Sequence, residues 1–197
     1  MTAPAPRLAP IEPPFPTETA AHLAALMPKG WSGPALRLFR LWARHLPMAE
    51  ALRAVGRYVL AGGALPPRDR ELLILRTCAR CGCEYEWGVH AAFFPDRLGL
   101  APELVAATRR AAAGDPVWPA RDALLVRAAD ELHDTATLSD PLWRELSAHW
   151  NEVQLLELLL VAGFYHLVSY TANATRLAPE PFAARFPDTG APAAARG

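Results

Sequence analysis

Apolar residues recur along this chain at the spacing of an α-helix, three or four positions apart, in one segment after another. Sustained alternation of apolar and polar residues, the signature of a half-buried strand, is absent from the sequence. Proline, glycine and capping residues separate the apolar segments from one another. The predicted helices lie at about 17–27, from 32 onward, 48–60, 66–82, 84–94, 102–113, 120–135, 140–150 and 152–173. The pattern predicts an all-α fold.

The two ends of the chain differ from its helical part. Residues 1–16 contain six prolines and little apolar pattern, so we interpret them as an extended N-terminal arm that can lie on a neighbouring subunit. Residues 17–186 form the predicted helical domain, and residues 187–197 a disordered tail. A chain of 197 residues is long enough for one such domain with its own core.

Composition and charge exclude several classes of function. The 20 Lys and Arg balance the 20 Asp and Glu, and no basic stripe of the kind that binds nucleic acid is present. No run of about 18 uncharged apolar residues predicts a membrane span. The N-terminus lacks the features of a secretory signal, and three cysteines within six positions do not resemble a disulfide framework. We therefore expect a cytoplasmic protein with no nucleic-acid and no membrane partner.

All three cysteines lie in the segment ELLILRTCARCGCEYEWGVH, residues 71–90. Cys83, Glu86 and His90 stand at positions i, i+3 and i+7, which share one face of a helix. A thiol, a carboxylate and an imidazole would then face one space, and each can transfer protons or attack a substrate. Cys83 also begins its helix, where the helix dipole is expected to lower the thiol pKa.

This segment resembles the carboxymuconolactone decarboxylase and alkyl hydroperoxidase D (AhpD)-like family. In AhpD a glutamate stands twelve residues before a cysteine that opens C-x-x-C-x-x-x-H. Here Glu71 stands twelve before Cys83, and His90 seven after it. The flanking LPPRDRELLILR and EYEWGVH, and the late segment GFYHLVSYTANATRLAPEP, look like the decarboxylase-type members. The resemblance implies that residues 17–186 form an AhpD-like helical bundle, that the protein is a homo-oligomer, and that it acts on a small-molecule substrate.

The resemblance also assigns roles to the motif residues. Glu71 would accept or relay a proton, Cys83 would be the reactive thiol, and His90 would assist as base. Where AhpD has the cysteine that resolves the oxidised first one, this chain has Glu86. Because a carboxylate cannot form a disulfide, this change favours cofactor-free decarboxylation or isomerisation of a small carbonyl or carboxylate compound. A one-cysteine hydroperoxidase and a non-enzymatic oligomeric binding protein are the alternatives.

Each candidate residue also has a purely structural interpretation. Cys83 and His90 can pack in the core. Glu86 can be a solvated helix charge, and Glu71 can pair with a nearby arginine, Arg68 or Arg70. These interpretations stay open at the level of the sequence.

Three further residues are candidates for the substrate pocket. We expect Trp87 to be a wall of the pocket and Tyr165 or His166 to reach it from a late apolar helix. A histidine in such a helix is more often a satisfied core residue. His133, near a predicted helix end, is interpreted as structural.

Cys78 and Cys81 form a second C-x-x-C. The family spacing would then require histidine at position 85 and glutamate at position 66, which hold tyrosine and proline. We interpret both cysteines as the end of the preceding helix, with Cys81 as an alternative resolving thiol. A zinc site from Cys78, Cys81, Cys83 and His90 is a further alternative. Two of these cysteines lie on a separate predicted helix, so we expect no metal and no cofactor.

Overall fold

The computed structural model describes residues 5–28 and 30–187, and these residues contain helices and no strand. The predicted all-α class is therefore confirmed. The helices are α1 Thr17–Ala24, α2 Arg37–Trp42, α3 Leu46–Arg57, α4 Pro67–Arg80, α5 Glu84–Phe93, α6 Pro95–Leu98, α7 Pro102–Arg110, α8 Ala120–Thr135, α9 Asp140–Ser147 and α10 Glu152–Thr175, with a π-helical turn at Tyr58–Gly62 between α3 and α4.

Helix α4 is the centre of the bundle. Every residue from 69 to 79 is buried, and the helix packs against α5, α7, α8 and α10. Burial on every side is typical of a central helix, and the polar residues buried with it, such as Glu71 and Arg76, are paired with partners on neighbouring helices. Proline starts α4, and Gly82 ends the connection to α5 with a φ of +61°, a left-handed conformation that favours glycine. Helices α4 and α5 therefore lie side by side and bring residue 71 near residue 90.

Ion pairs attach α4 to α8. Arg68 donates to both carboxylate oxygens of Asp122 at 2.7 and 2.8 Å. Arg76 makes the same two-pronged contact with Asp130, both distances being 2.7 Å. Such paired guanidinium–carboxylate contacts fix the relative position of the two helices. These contacts therefore engage two arginines, Arg68 just before residues 71–90 and Arg76 within them.

Helix α10 packs against α4 and α5 on the side opposite its solvent face. Asn151 caps it: the side chain accepts from the backbone of Gln154, whose own side chain accepts from the backbone of Asn151, both at 3.0 Å. By length and composition alone this helix would be able to cross a membrane. Half of its most apolar stretch is buried inside the bundle, which is typical of a core helix.

The described part of the N-terminal arm, residues 5–16, has no helix and lies on its own chain. The backbone amide of Arg7 donates to Thr175 at the end of α10 (2.8 Å), and that of Ile11 donates to Arg40 in α2 (3.3 Å). Of the predicted tail, residues 188–197 lie outside the described residues.

The N-terminal helices differ from the predicted bounds. The helix expected from Ser32 begins only at Arg37, because the backbone amides of Arg37 and Leu38 donate to the side chains of Glu180 and Tyr85 and not to carbonyls one turn earlier. The helix expected at 48–60 begins earlier, at Leu46. His45 caps it by accepting from the backbone of Met48 at 3.2 Å, and the helix ends in the π-helical turn.

Candidate functional site

A cavity of about 350 Å³ lies between the N-terminal helices α1–α3 and the pair α5 and α10. Its walls are largely apolar and include six large aromatic side chains: Trp31, Phe39, Trp42, Phe93, Phe94 and Phe164. A cavity of this size and lining is typical of a site for a small organic molecule. Glu86, His90 and Tyr165 supply polar groups on the α5 and α10 side.

Three polar side chains, one from each of α4, α5 and α10, surround the ring of His90. Its Nδ1 lies 2.9 Å from Glu71 Oε1, and its Nε2 lies 3.0 Å from the hydroxyl of Tyr165. Glu86 Oε1 stands 3.4 Å from the same Nε2. Glu71 is fully buried, and His90 is 3% exposed. The structure therefore brings Glu71, Glu86 and His90 together, with Glu86 and His90 facing the cavity and Glu71 behind them.

The two carboxylates control the charge of His90. Burial alone would lower the pKa of the ring, but Glu71 and Glu86 together outweigh burial and raise the pKa to about 10. The ring is then an imidazolium at neutral pH, donating from Nδ1 to Glu71 and from Nε2 towards Tyr165 and Glu86. In the resting protein His90 therefore holds a proton.

Aromatic neighbours fix the orientation of the His90 ring. Phe94 stacks on it at 4.9 Å between ring centroids, and Tyr165 meets it edge-on at 5.1 Å. Burial, followed by the charges of Glu86 and Glu71, raises the pKa of Tyr165 well above its usual value. Its hydroxyl therefore stays protonated and remains a hydrogen-bond donor.

Glu71 forms no ion pair with Arg68 or Arg70. Arg68 is engaged by Asp122, and the fully buried Glu71 carboxylate contacts His90 instead. Its second oxygen, Oε2, has no hydrogen-bond partner among the described residues. The surface ion-pair interpretation of Glu71 is therefore wrong.

Cys83 departs from its predicted state. It stands directly before α5 as expected, but the side chain is fully buried and does not line the cavity. Burial raises its thiol pKa to about 11, and the nearby backbone amide of Glu86 offsets only part of that shift. The expected lowering of the pKa by the helix dipole is therefore wrong, because burial outweighs the dipole.

Of the three pocket candidates, only Tyr165 lines the cavity. Trp87 points into the core, where its indole nitrogen donates to Thr108 at 2.9 Å, so its predicted role as a pocket wall is corrected. His166 lies one residue further along α10 than Tyr165 and therefore faces α8 and His133 instead of the cavity.

The other side of the cavity was not predicted from the sequence. Helices α1–α3 supply its outer aromatic wall, and Arg53, Arg57 and Arg97 add positive charge to the lining. The cluster of Trp31, Phe39 and Trp42 before the motif was the available signal. Which face of those helices would meet α5 was not readable from the pattern.

Residues 47–131 match the model of the Carboxymuconolactone decarboxylase family. A search of curated protein sequences found no significant match. Among solved structures, an uncharacterized peroxidase-related protein from Silicibacter sp. TM1040 is similar, with a TM-score of 0.79 and 21% identity over 95% of this chain and 100% of that chain.

Two further solved structures share the architecture. The alkylhydroperoxidase AhpD core protein from Ralstonia eutropha JMP134, an uncharacterized peroxidase-related protein, has a TM-score of 0.73 and 16% identity over 90% of this chain and 95% of that chain. A cysteine-to-alanine variant of the debrominase Bmp8, in complex with 2,3,4-tribromopyrrole, has a TM-score of 0.69 and 12% identity over 88% of this chain and 91% of that chain. Residues 47–131 therefore match the carboxymuconolactone decarboxylase family in sequence, and the fold of the chain is that of AhpD-like proteins.

Proposed function

We propose that this protein is a cofactor-free enzyme that moves protons on a small, largely apolar carboxylate or carbonyl compound, by decarboxylation or isomerisation. The observation that carries the proposal is the cluster of Glu71, His90, Tyr165 and Glu86 at the wall of an apolar cavity. The family match supports an enzyme, and the cluster supports acid–base chemistry.

Decarboxylation and isomerisation share one intermediate, an enolate. In decarboxylation the bond to the carboxylate carbon breaks, CO2 leaves, and the electron pair moves onto the neighbouring carbonyl oxygen. A proton from the His90–Glu86 pair then forms the new C–H bond. In isomerisation Glu86 takes a proton from the carbon next to the carbonyl and returns it at another carbon.

Tyr165 is the group that stabilises the enolate oxygen. Because the imidazolium of His90 donates to the tyrosine oxygen at 3.0 Å, the tyrosine's own O–H remains available to a ligand in the cavity. A hydrogen bond aimed at the place where negative charge develops lowers the barrier, and more so in a dry site. The positive ring behind Tyr165 strengthens that donor.

The lining favours a ring-bearing substrate with one anionic group. The aromatic walls suit a flat apolar body, and Arg53, Arg57 and Arg97 favour a carboxylate near them. The debrominase Bmp8, which has the same fold, is known in complex with a small ring compound, 2,3,4-tribromopyrrole. That complex agrees with the substrate class but does not define it.

The observations favour this proposal over the one-cysteine hydroperoxidase. Attack on a peroxide needs a thiolate in contact with the substrate. Cys83 is fully buried, lies outside the cavity lining, and has a raised pKa. A non-enzymatic binding protein would be expected to leave Glu71, Glu86 and His90 apart, whereas here they surround one buried ring.

The test uses benzoylacetate, an aromatic β-keto acid, with CO2 release as the readout. The native protein should accelerate the reaction, and Glu86→Gln should lower the rate by about 10²- to 10⁴-fold. Cys83→Ala is the matched control and should retain the activity. Activity that depends on Cys83 and not on Glu86, together with thiol-dependent peroxide turnover, would favour the hydroperoxidase.

We also propose that the protein is a homo-oligomer through the outer face of α10. Four exposed apolar residues follow one stripe of that helix: Val153, Leu156, Leu160 and Leu167, at 54, 67, 39 and 40% exposure. Such a stripe suits a second copy of the chain. Light scattering should give a multiple of the monomer mass. Leu156→Glu should lower that mass, and Val117→Glu, at an exposed position elsewhere, should not; a monomeric native protein would contradict the proposal.

A further inference from the structure

A second group of reactive side chains lies away from the cavity, where the end of α4 meets α8 and α10. His133 Nδ1 stands 3.8 Å from Cys81 Sγ and 3.1 Å from His166 Nε2. All three ligand atoms lie within 4.8 Å of one another, and all three residues are half-buried. Within residues 5–28 and 30–187 this is the one such group of three or more His, Cys, Asp or Glu side chains.

Two of the three separations match the edges of a tetrahedron around a zinc ion, and the third, between the ligand atoms of Cys81 and His166, lies within 4.8 Å. Zinc–sulfur bonds of about 2.3 Å and zinc–nitrogen bonds of about 2.0 Å place sulfur and nitrogen about 3.6 Å apart, and two nitrogens about 3.3 Å apart. The observed separations of 3.8 and 3.1 Å lie within a few tenths of an ångström of those edges. Small side-chain adjustments would therefore complete the coordination.

Hydrogen bonds already hold two of the ligand residues in place, the ring of His166 and the backbone of Cys81. The Nδ1–H of His166 donates to the carbonyl of Ala162 at 2.8 Å, which leaves Nε2 with its lone pair directed towards His133. This contact, with the second ring nitrogen donating to a carbonyl, is the usual support of a metal-binding histidine. Asn173 donates to the backbone oxygen of Cys81 at 2.8 Å and holds the end of α4 against α10.

The charges around the group do not oppose a cation. Arg80 is the nearby positive residue, but it pairs with Asp130 at 3.5 Å and with Asp134 at 2.6 Å. Both carboxylates lie within one helical turn of His133, and both offset the positive charge of Arg80. The half-buried position leaves room for a fourth ligand from solvent.

We propose that Cys81, His133 and His166 bind one Zn²⁺, with a water molecule as the fourth ligand. The ligand set differs from the one considered from the sequence: Cys78 and Cys83 are fully buried, and His90 is engaged by Glu71. His133, expected to be purely structural, is here a ligand. The ion would join the end of α4 to α8 and α10 through residues 52 and 33 positions apart in the chain, and so stabilise the folded state.

Zinc titration of chelator-treated protein tests the site. The native chain should bind one Zn²⁺, and the melting temperature should rise by roughly 5–10 °C at a hundredfold excess over the dissociation constant. Cys81→Ala, His133→Ala and His166→Ala should each weaken binding by more than the roughly 10- to 100-fold that a lost supporting contact costs. His149→Ala, at an exposed position on another part of the surface, is the matched control and should bind like the native chain.

Cobalt and thiol chemistry give readouts that do not depend on stability. Co²⁺ should show a thiolate charge-transfer band that Cys81→Ala abolishes. Cys81 is the one cysteine of the three that is not fully buried, so Zn²⁺ should slow its modification by an aromatic disulfide reagent. Failure of the native chain to bind Zn²⁺, or equal loss of binding in His149→Ala and the ligand variants, would overturn the proposal.

Discussion

Glu71 offers one carboxylate oxygen to His90, at 2.9 Å from Nδ1, and keeps the other buried without a partner among the described residues. A buried carboxylate with a single polar neighbour mainly changes the pKa of that neighbour. Glu71 does not line the cavity. In the proposed reaction it is therefore a positioning residue, which orients the His90 ring and keeps it charged, while Glu86 and Tyr165 face the cavity.

The raised pKa of His90 predicts a pH-dependent stability. The ring's pKa is about 10 in the folded chain and ordinarily 6.5, so the folded state holds a proton that the unfolded state releases between these values. The stabilisation is complete below pH 6.5 and is lost as the pH rises towards 10. The free energy of unfolding should fall by about 1.4 kcal/mol per pH unit in this window. Urea unfolding between pH 6.5 and 8.5 measures the slope.

The control for this slope is a chain without the ring. His90→Gln should unfold with a nearly flat dependence over the same pH range, if it remains folded by circular dichroism. The cysteines, whose thiol pKa values are also raised in the folded chain, contribute only near the top of this range and do so equally in both proteins, so the difference between the two slopes reports His90. An equal slope in both proteins would show that His90 is not the group that titrates.

Replacing Glu71 should change the protonation of His90 without removing a group from the cavity. In Glu71→Gln the pKa of His90 should fall, because the nearest negative charge is lost while burial still disfavours the imidazolium. Nuclear magnetic resonance of the ring nitrogens measures this directly, and the pH–rate profile should shift in the same direction. An unchanged pKa of His90 in Glu71→Gln would show that Glu71 does not control the charge of the ring.

Cys83 should be dispensable for the proposed reaction. Cys83→Ala should retain benzoylacetate turnover within a few-fold of the native rate and cost about 1 kcal/mol of stability through the lost buried sulfur. At neutral pH peroxide should leave the Cys83 thiol reduced, because its pKa of about 11 keeps it protonated. Mass spectrometry after peroxide treatment reads the oxidation state, and rapid, selective oxidation of Cys83 is the contrary result.

Replacing Arg53 should weaken the binding of anionic substrates and leave neutral ones unaffected. It lines the cavity, so Arg53→Gln should raise KM for benzoylacetate by about three- to tenfold through the loss of a charged contact. Proton exchange of propiophenone, a neutral aromatic ketone, should be unaffected, and so should both reactions in Arg110→Gln, an exposed arginine outside the lining. Equal effects on both compounds would exclude a role in carboxylate binding.

Gly88 should not tolerate a side chain. The backbone of Ala184 crosses α5 there, donating to the Gly88 carbonyl at 3.0 Å, and an added Cβ would meet the Ala184 oxygen at 2.2 Å. Gly88→Ala should lose about 1–3 kcal/mol of unfolding free energy, although alanine favours helices. Gly163→Ala, in α10 with nothing within 4 Å of its Cβ, should instead gain up to about 1 kcal/mol. Denaturant unfolding measures both, and a stabilised Gly88→Ala would contradict the close approach.

Several features of the site were readable from the sequence for local reasons. The bounds of α4 and α5 follow from the prolines at 66 and 67, the glycine at 82 and the proline at 95. Within α5 the i, i+4 register places Glu86 beside His90. The family spacing placed Glu71 with them. These inferences needed only chain geometry over about twenty residues.

Other features depend on contacts that the local pattern does not contain. The helix start at Cys83 predicted a reactive thiol, but the bundle packed around it decides its burial and therefore its pKa. Cys81 lies at the end of α4, His133 on α8 and His166 on α10, and only the packed bundle brings them together. The outer wall of the cavity likewise depends on how α1–α3 fold back.

The most direct measurement compares CO2 release from benzoylacetate by the native protein, Glu86→Gln and Cys83→Ala at equal concentration and neutral pH. The account predicts that the native protein and Cys83→Ala react at similar rates, and that Glu86→Gln is slower by at least about 10²-fold. A Glu86→Gln protein that is fully active, or a Cys83→Ala protein that is inactive although folded, would contradict it.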